Sequence, residues 1–77
     1  MLFSGTIRQN IAAGIAGADD ARIRSALDFA DALGFVEAMR DGLDAELEEN
    51  GRNLSGGQRQ RLAIARAVVR DPRLVLG

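Results

Sequence analysis

Apolar positions along the chain fall into three groups, separated by glycine-rich or acidic punctuation. In the clearest group Ile23, Ala26, Leu27, Ala30 and Leu33 recur at helical spacing and form one apolar stripe. Arg22, Arg24, Asp28 and Asp31 lie mostly off it. Asp19 and Asp20 open this helix, and Gly34 suits the position after its end, where a left-handed backbone costs glycine little. Upstream, Ile7, Ile11 and Ala12 occupy neighbouring positions of a short helix that Ser4 or Thr6 can cap and Gly14 can end. Residues 14–18 read as a flexible connector.

Downstream, residues 35–39 predict one or two further turns presenting Phe35, Val36 and Met39. Residues 40–53 are a turn-rich linker around Asp41-Gly42 and Asn50-Gly51, with Leu43 and Leu47 as its large apolar anchors. The third group, from Gly56 to about Arg70, is helical again. Leu62, Ala65 and Val69 share a face that Ala63 and Ala67 flank. Asp71-Pro72 ends it, because the residue before proline is pushed out of the α region. Residues 73–76 (RLVL) start as a strand. The pattern predicts a mainly helical unit whose stripe and last helix want a sheet to pack on, and hence partial order in isolation. Phe3, Phe29 and Phe35 read as core residues.

Composition narrows the chemistry. The 77 residues contain no cysteine and no histidine, so disulfides, thiolate metal sites and imidazole bases are excluded. All ten basic residues are arginine. Net charge is only −1, but it is unevenly spread: residues 19–49 hold ten acids against three arginines, and residues 52–73 hold six arginines against Asp71. The two parts should attract each other, or one should face a partner. No apolar run is long enough to span a membrane, and no signal peptide is visible, so a cytoplasmic location is expected.

Candidate chemistry concentrates at residues 53–67, NLSGGQRQRLAIARA. Ser55 and Gln58 fit a capping box, worth roughly 1 kcal/mol and requiring no ligand. Two glycines in the first turn do not follow from capping. Each costs up to about 1 kcal/mol relative to alanine. Without a Cβ, however, the backbone N–H groups of Gly56 and Gly57 are open to an approaching anion, and a helix start favours phosphate.

These residues resemble the signature motif and following helix of ATP-binding cassette ATPases. The likeness extends through the chain: residues 2–11 (LFSGTIRQNI) resemble the segment after the Q-loop in the exporter branch, residues 48–53 (EENGRN) resemble the exporter loop before the signature, and residues 70–76 (RDPRLVL) resemble the approach to the Walker B strand. The fold implied is a mainly α fragment of an α/β P-loop NTPase domain. It comprises a helical subdomain and exporter-type loop (1–52), then the signature motif, its helix and a truncated Walker B strand (53–77).

The resemblance implies that Ser55, Gly56, Gly57 and Gln58 close on ATP, with Mg²⁺, held by the Walker A loop of the opposite nucleotide-binding domain. The Ser55 hydroxyl and the Gly57 N–H would meet the γ-phosphate, Gly56 would allow close approach, Gln58 would lie near the ribose, and Leu54 would pack. Glu49 and Gly51 would lie in the loop facing the transmembrane domains, which place the protein at the inner face of the cell membrane. Residues 6–39 would rotate on ATP binding. Departures are equally specific. Without lysine there is no Walker A loop, and without histidine no switch histidine. The Q-loop glutamine and the Walker B aspartate and glutamate are absent, Asn50 and Glu48 stand where the exporter loop often has arginine and glycine, and Arg40 replaces a frequent proline. The sequence reads as a fragment, with no catalytic residue and no metal ligand of its own. Two other readings are an arginine-rich helical nucleic-acid-binding module, opposed by the acidic segment and the absence of interleaved aromatics, and a helical protein-interaction module.

Overall fold

The computed structural model of the chain describes residues 2–13, 15 and 17–73. Strand β1 (Gly5–Thr6) leads into helix α1 (Ile7–Ile11). Of the two candidate caps, Thr6 is used. Its hydroxyl accepts from the Gln9 N–H at 3.0 Å, and the Gln9 side-chain oxygen accepts from the Thr6 N–H at 2.8 Å. Fully buried Asn10 secures the preceding segment: its amide donates to the carbonyls of Phe3 and Thr6, and its oxygen accepts from the Phe3 N–H. The helix ends at Ile11, with Ala12 as C-cap. Gly14, expected to end it, lies outside the described residues, as does the strand start at 74–76.

Helix α2 (Asp20–Phe29) begins as the sequence predicts, the Asp19 carboxylate accepting from the Arg22 N–H at 2.9 Å. It ends earlier than Leu33. The Ala32 N–H donates to the Leu27 carbonyl at 2.8 Å and the Asp31 N–H to the Asp28 carbonyl at 3.1 Å, the bonding pattern of a Schellman cap. Asp31, at φ 59°, occupies the left-handed position expected of Gly34. Gly34 instead lies in the first turn of a separate helix, α3 (Leu33–Ala38). The break turns fully buried Ala32 and Val36 onto the core, which one straight helix would not do.

The linker folds back as two short 3₁₀ turns, Gly42–Asp44 and Glu49–Gly51, around strand β2 (Glu46–Leu47). β2 pairs antiparallel with β1 in the register Gly5 to Leu47 and Thr6 to Glu46. Leu43 and Leu47 are buried, as expected of the anchors. Helix α4 (Gly56–Val68) completes the chain of elements.

α4 packs on α2 and α1. Ile7, Ile11, Ile23, Leu27, Leu62 and Val69 are fully buried in one cluster with Ala26 and Ala65. Each large aliphatic side chain contributes about 1.5–3 kcal/mol on burial. The α2 stripe and the last helix therefore cover each other in part, while Ile64 of α4 stays 42% exposed. The radius of gyration is 11.1 Å, against about 11.5 Å for a compact chain of this length. The aromatics also depart from expectation: Phe29 is 71% exposed, and Phe3 lies at the surface beneath the Arg66 guanidinium, 5.6 Å from the ring centre. Phe35 packs partly buried against the core.

Candidate functional site

α4 starts at an open turn. Ser55, Gly56 and Gly57 are exposed, and Gln58 is half-buried. The capping box is complete. The Ser55 hydroxyl oxygen accepts from the Gln58 N–H at 3.1 Å, and the Gln58 side-chain oxygen accepts from the Ser55 N–H at 3.1 Å. These two bonds leave the N–H groups of Gly56 and Gly57 without a hydrogen-bond partner among the described residues. Both point out of the helix start, where the partial positive charge of the dipole gathers.

Capping does not exhaust the polar atoms. A hydroxyl has one donor and two acceptor lone pairs, so Ser55 retains its proton for a ligand while it caps the helix. Gln58 likewise retains its side-chain NH₂. The fold itself does not ask for glycine at either position: a Cβ on Gly57 would meet nothing within 4 Å, and one on Gly56 only the Arg59 guanidinium at 3.9 Å. Neither backbone is left-handed. What glycine supplies here is a bare surface beside two amide donors and a hydroxyl, which suits a phosphate group.

The preceding loop is tightly built. Asn50 and Gly51 are both left-handed, at φ 57° and 66°. The Gly51 N–H donates to the Glu48 carbonyl at 2.7 Å, and the Leu54 N–H to the Gly51 carbonyl at 2.9 Å. Asn53 bridges back to β2, accepting from the Glu48 N–H at 3.0 Å and donating to the Glu46 carbonyl at 3.3 Å. Gly51 is buried, and here glycine is favoured: its backbone is left-handed, and a Cβ would stand 2.9 Å from Leu2 Cδ1 and 3.3 Å from Arg59 Cγ, so both side chains would have to shift. Glu49 remains exposed. Sequence reasoning assigned Glu49 and Gly51 to one site and the Ser55–Gln58 turn to another, and it missed Arg59, whose side chain lies against Gly51 and bonds the Leu54 carbonyl.

Among the described residues, the arginines of residues 52–73 form no ion pair with a carboxylate distant in sequence. Arg52 pairs with Glu48 at 3.0 Å, but the described α4 arginines find no carboxylate. Arg59 donates to the Leu54 carbonyl at 3.4 Å, and Arg70 to the Ala13 carbonyl at 2.9 Å. Arg22 of α2 reaches the other end of α4 and donates to the carbonyls of Val69 and Asp71, at 2.7 and 3.4 Å. The terminal carbonyls of α4 thus take a cation where the dipole favours one. The acids pair elsewhere: Arg8 bonds Asp20 at 2.8 Å and also Asp44, and its guanidinium holds the Asp20 carboxyl below the usual carboxylate range. Arg73 bonds hold Asp71 down to about 2. No group of three or more metal-ligating side chains gathers among the described residues, and no helix among them is long and apolar enough to cross a membrane.

Known proteins share this sequence and fold. The ABC transporter family matches residues 2–77. The heterocyst differentiation ATP-binding protein HepA of Nostoc is 51% identical over 97% of this chain, and an ATP-dependent lipid A-core flippase of Hahella chejuensis is 51% identical over 99%. The human antigen peptide transporter 2 is 45% identical over 99%. This chain spans 12%, 13% and 11% of those three proteins respectively. A bacterial Atm1-family ABC exporter, solved with ATP bound, superposes with a TM-score of 0.85 and 44% identity over 92% of this chain and 12% of that one. The helices described here are a mainly α piece of an α/β P-loop NTPase domain, and the chain belongs to the ABC transporter family.

Proposed function

We propose that residues 55–58 are the turn through which this segment of an ABC exporter closes on ATP bound by a second nucleotide-binding domain. The Ser55 hydroxyl and the Gly57 N–H contact the γ-phosphate, Gly56 allows the approach, and Gln58 offers its free NH₂ to the ribose. One observation carries the reading: two glycines that the fold does not require stand beside a hydroxyl whose proton is free, on the bare start of a 13-residue helix. ATP brings Mg²⁺, which the partner domain holds. These 77 residues hold no lysine for a Walker A loop, so the role read here is that of the surface that closes over ATP.

The arrangement suits coupling as well. Residues 1–52 act as the helical subdomain and exporter-type loop, and residues 53–77 as the signature segment. Glu49, exposed beside rigid Gly51, faces the transmembrane domains of the transporter, at the cytoplasmic side of the membrane. Chain motion at that loop reaches Ser55 within a few residues.

A segment swap tests the proposal. This chain replaces the matching stretch of the Hahella flippase, and ATP turnover is measured. The parent swap should turn over ATP. Ser55→Asp keeps a good N-cap and so keeps the fold, but it sets a negative charge against the phosphate. Turnover should then be lost with the melting temperature unchanged. Retained turnover in the Asp variant would sink the assignment.

A further inference from the structure

Between the Glu49–Gly51 turn and the start of α4 stands one side chain, Arg59. Its backbone N–H belongs to the helix, donating to the Ser55 carbonyl at 3.0 Å. Its stem lies over Gly51, with Cγ and Cδ 3.3 and 3.4 Å from where a Gly51 Cβ would be. Its guanidinium donates to the carbonyl of Leu54, the residue before Ser55. The side chain is half-buried and pairs with no carboxylate among the described residues. An arginine kept for solubility or for an ion pair would not be folded back over a glycine and a backbone carbonyl, because ordering its long stem costs entropy that those contacts must offset.

We propose that Arg59 is a positioning residue: its side chain, seated on Gly51 and bonded to the Leu54 carbonyl, links the Glu49–Gly51 turn to the helix start that presents Ser55, so that displacing one displaces the other. Absence of a Cβ at Gly51 lets the stem seat this closely. The link gives the proposed ATP-contacting turn a direct route to the proposed coupling loop, and its value for transport rests on that reading. The mechanical link itself does not.

The test therefore uses no nucleotide. Backbone amide resonances of the 77-residue chain are recorded by NMR with and without a perturbation of the turn, Gly51→Ala, in the Arg59 background and in Arg59→Ala. Glu49→Ala, which acts on the same turn from its exposed side, replaces Gly51→Ala if that variant does not fold. Arg59→Met keeps the stem and removes the donor. In the Arg59 background the perturbation should shift the amides of Gly56, Gly57 and Gln58. In Arg59→Ala those shifts should be lost, and in Arg59→Met reduced, while amide protection at Ile23, Leu27 and Leu62 stays unchanged. A merely structural role would lower protection throughout the core instead. Equal shifts at residues 56–58 in all backgrounds would overturn the proposal and assign the link to the backbone bond from Leu54 to Gly51. Loss of ATP turnover in the flippase swap has no bearing on this result, so the two readings fail separately.

Discussion

Alanine at Gly57 and alanine at Gly51 are the same chemical change, and the structure gives them opposite signs. At Gly57 the backbone is ordinary helix and the new methyl group meets nothing within 4 Å. Removing glycine's excess freedom should stabilise the fold by about 0.5–1 kcal/mol. In a chain of this length that raises the melting temperature by roughly 2–8 °C. At Gly51 the backbone lies at φ 66°, and the methyl group would stand 2.9 Å from Leu2 Cδ1. The left-handed conformation alone costs about 1–2 kcal/mol for a residue with a Cβ. Leu2 is itself buried, so its shift adds to the loss. The backbone cost alone should lower the melting temperature by roughly 4–16 °C. Thermal unfolding followed by far-UV circular dichroism measures both. In the flippase swap, Gly57→Ala should also reduce ATP turnover while it stabilises the protein, because the methyl group stands on the surface offered to phosphate. A Gly57→Ala variant that melts lower than the parent would refute the claim that the fold has no use for glycine there.

Other consequences are simpler. Leu62→Ala removes a fully buried side chain between α4 and α2, and should cost about 2–5 kcal/mol in denaturant titration; a loss within error would show that the two helices do not depend on each other. Asp31→Gly relieves the left-handed cap of α2 and should raise stability by up to about 1 kcal/mol, whereas a loss would mean the Asp31 side chain supports the cap. Asp20 and Asp71 have folded pKa values below the ordinary 3.8, held there first by hydrogen bonds from Arg8 and Arg73. Their stabilisation is complete above pH 3.8 and is lost as pH falls through the lower folded values, about 2 for Asp71. Asp20→Asn should therefore flatten the acid limb of the stability profile, and an unchanged limb would dismiss the Arg8 pair as a contributor. The chain alone should show no micromolar affinity for ATP. A helix start offers about 0.3–2 kcal/mol and two charge-assisted bonds about 1.5–3 each, against roughly 4–15 for immobilising a ligand. A micromolar dissociation constant in a labelled-ATP titration would overturn that arithmetic.

Much of this protein was written locally. The caps depend on a side chain reaching a backbone N–H three residues on, so sequence spacing singled out Ser55, narrowed the first helix to Ser4 or Thr6, and placed the start of α2 at Asp19-Asp20. The α2 and α4 stripes were legible for the same reason, as periodicity is a local property. So was the Ser-Gly-Gly-Gln turn as a capped helix start, since its groups belong to nearly consecutive residues.

What the tertiary structure decided involves partners distant in the chain. α2 stops at Phe29 because Ala32 and Val36 are drawn to a core that other helices build, and that pull sets Asp31 left-handed although Gly34 stood three residues on. The β1–β2 pairing joins residues about forty apart through strands too short to leave an alternating pattern. Arg22 and Arg59 look in sequence like solvated charges; only the fold brings their guanidinium groups to the Val69 and Leu54 carbonyls. These three glycines show the division most clearly. Gly56 and Gly57 face open space and follow from what approaches the helix start, while Gly51 is fixed by Leu2 and Arg59, which converge on it from either side in sequence. Local bonding is read from spacing, but steric need arises only where separate segments meet.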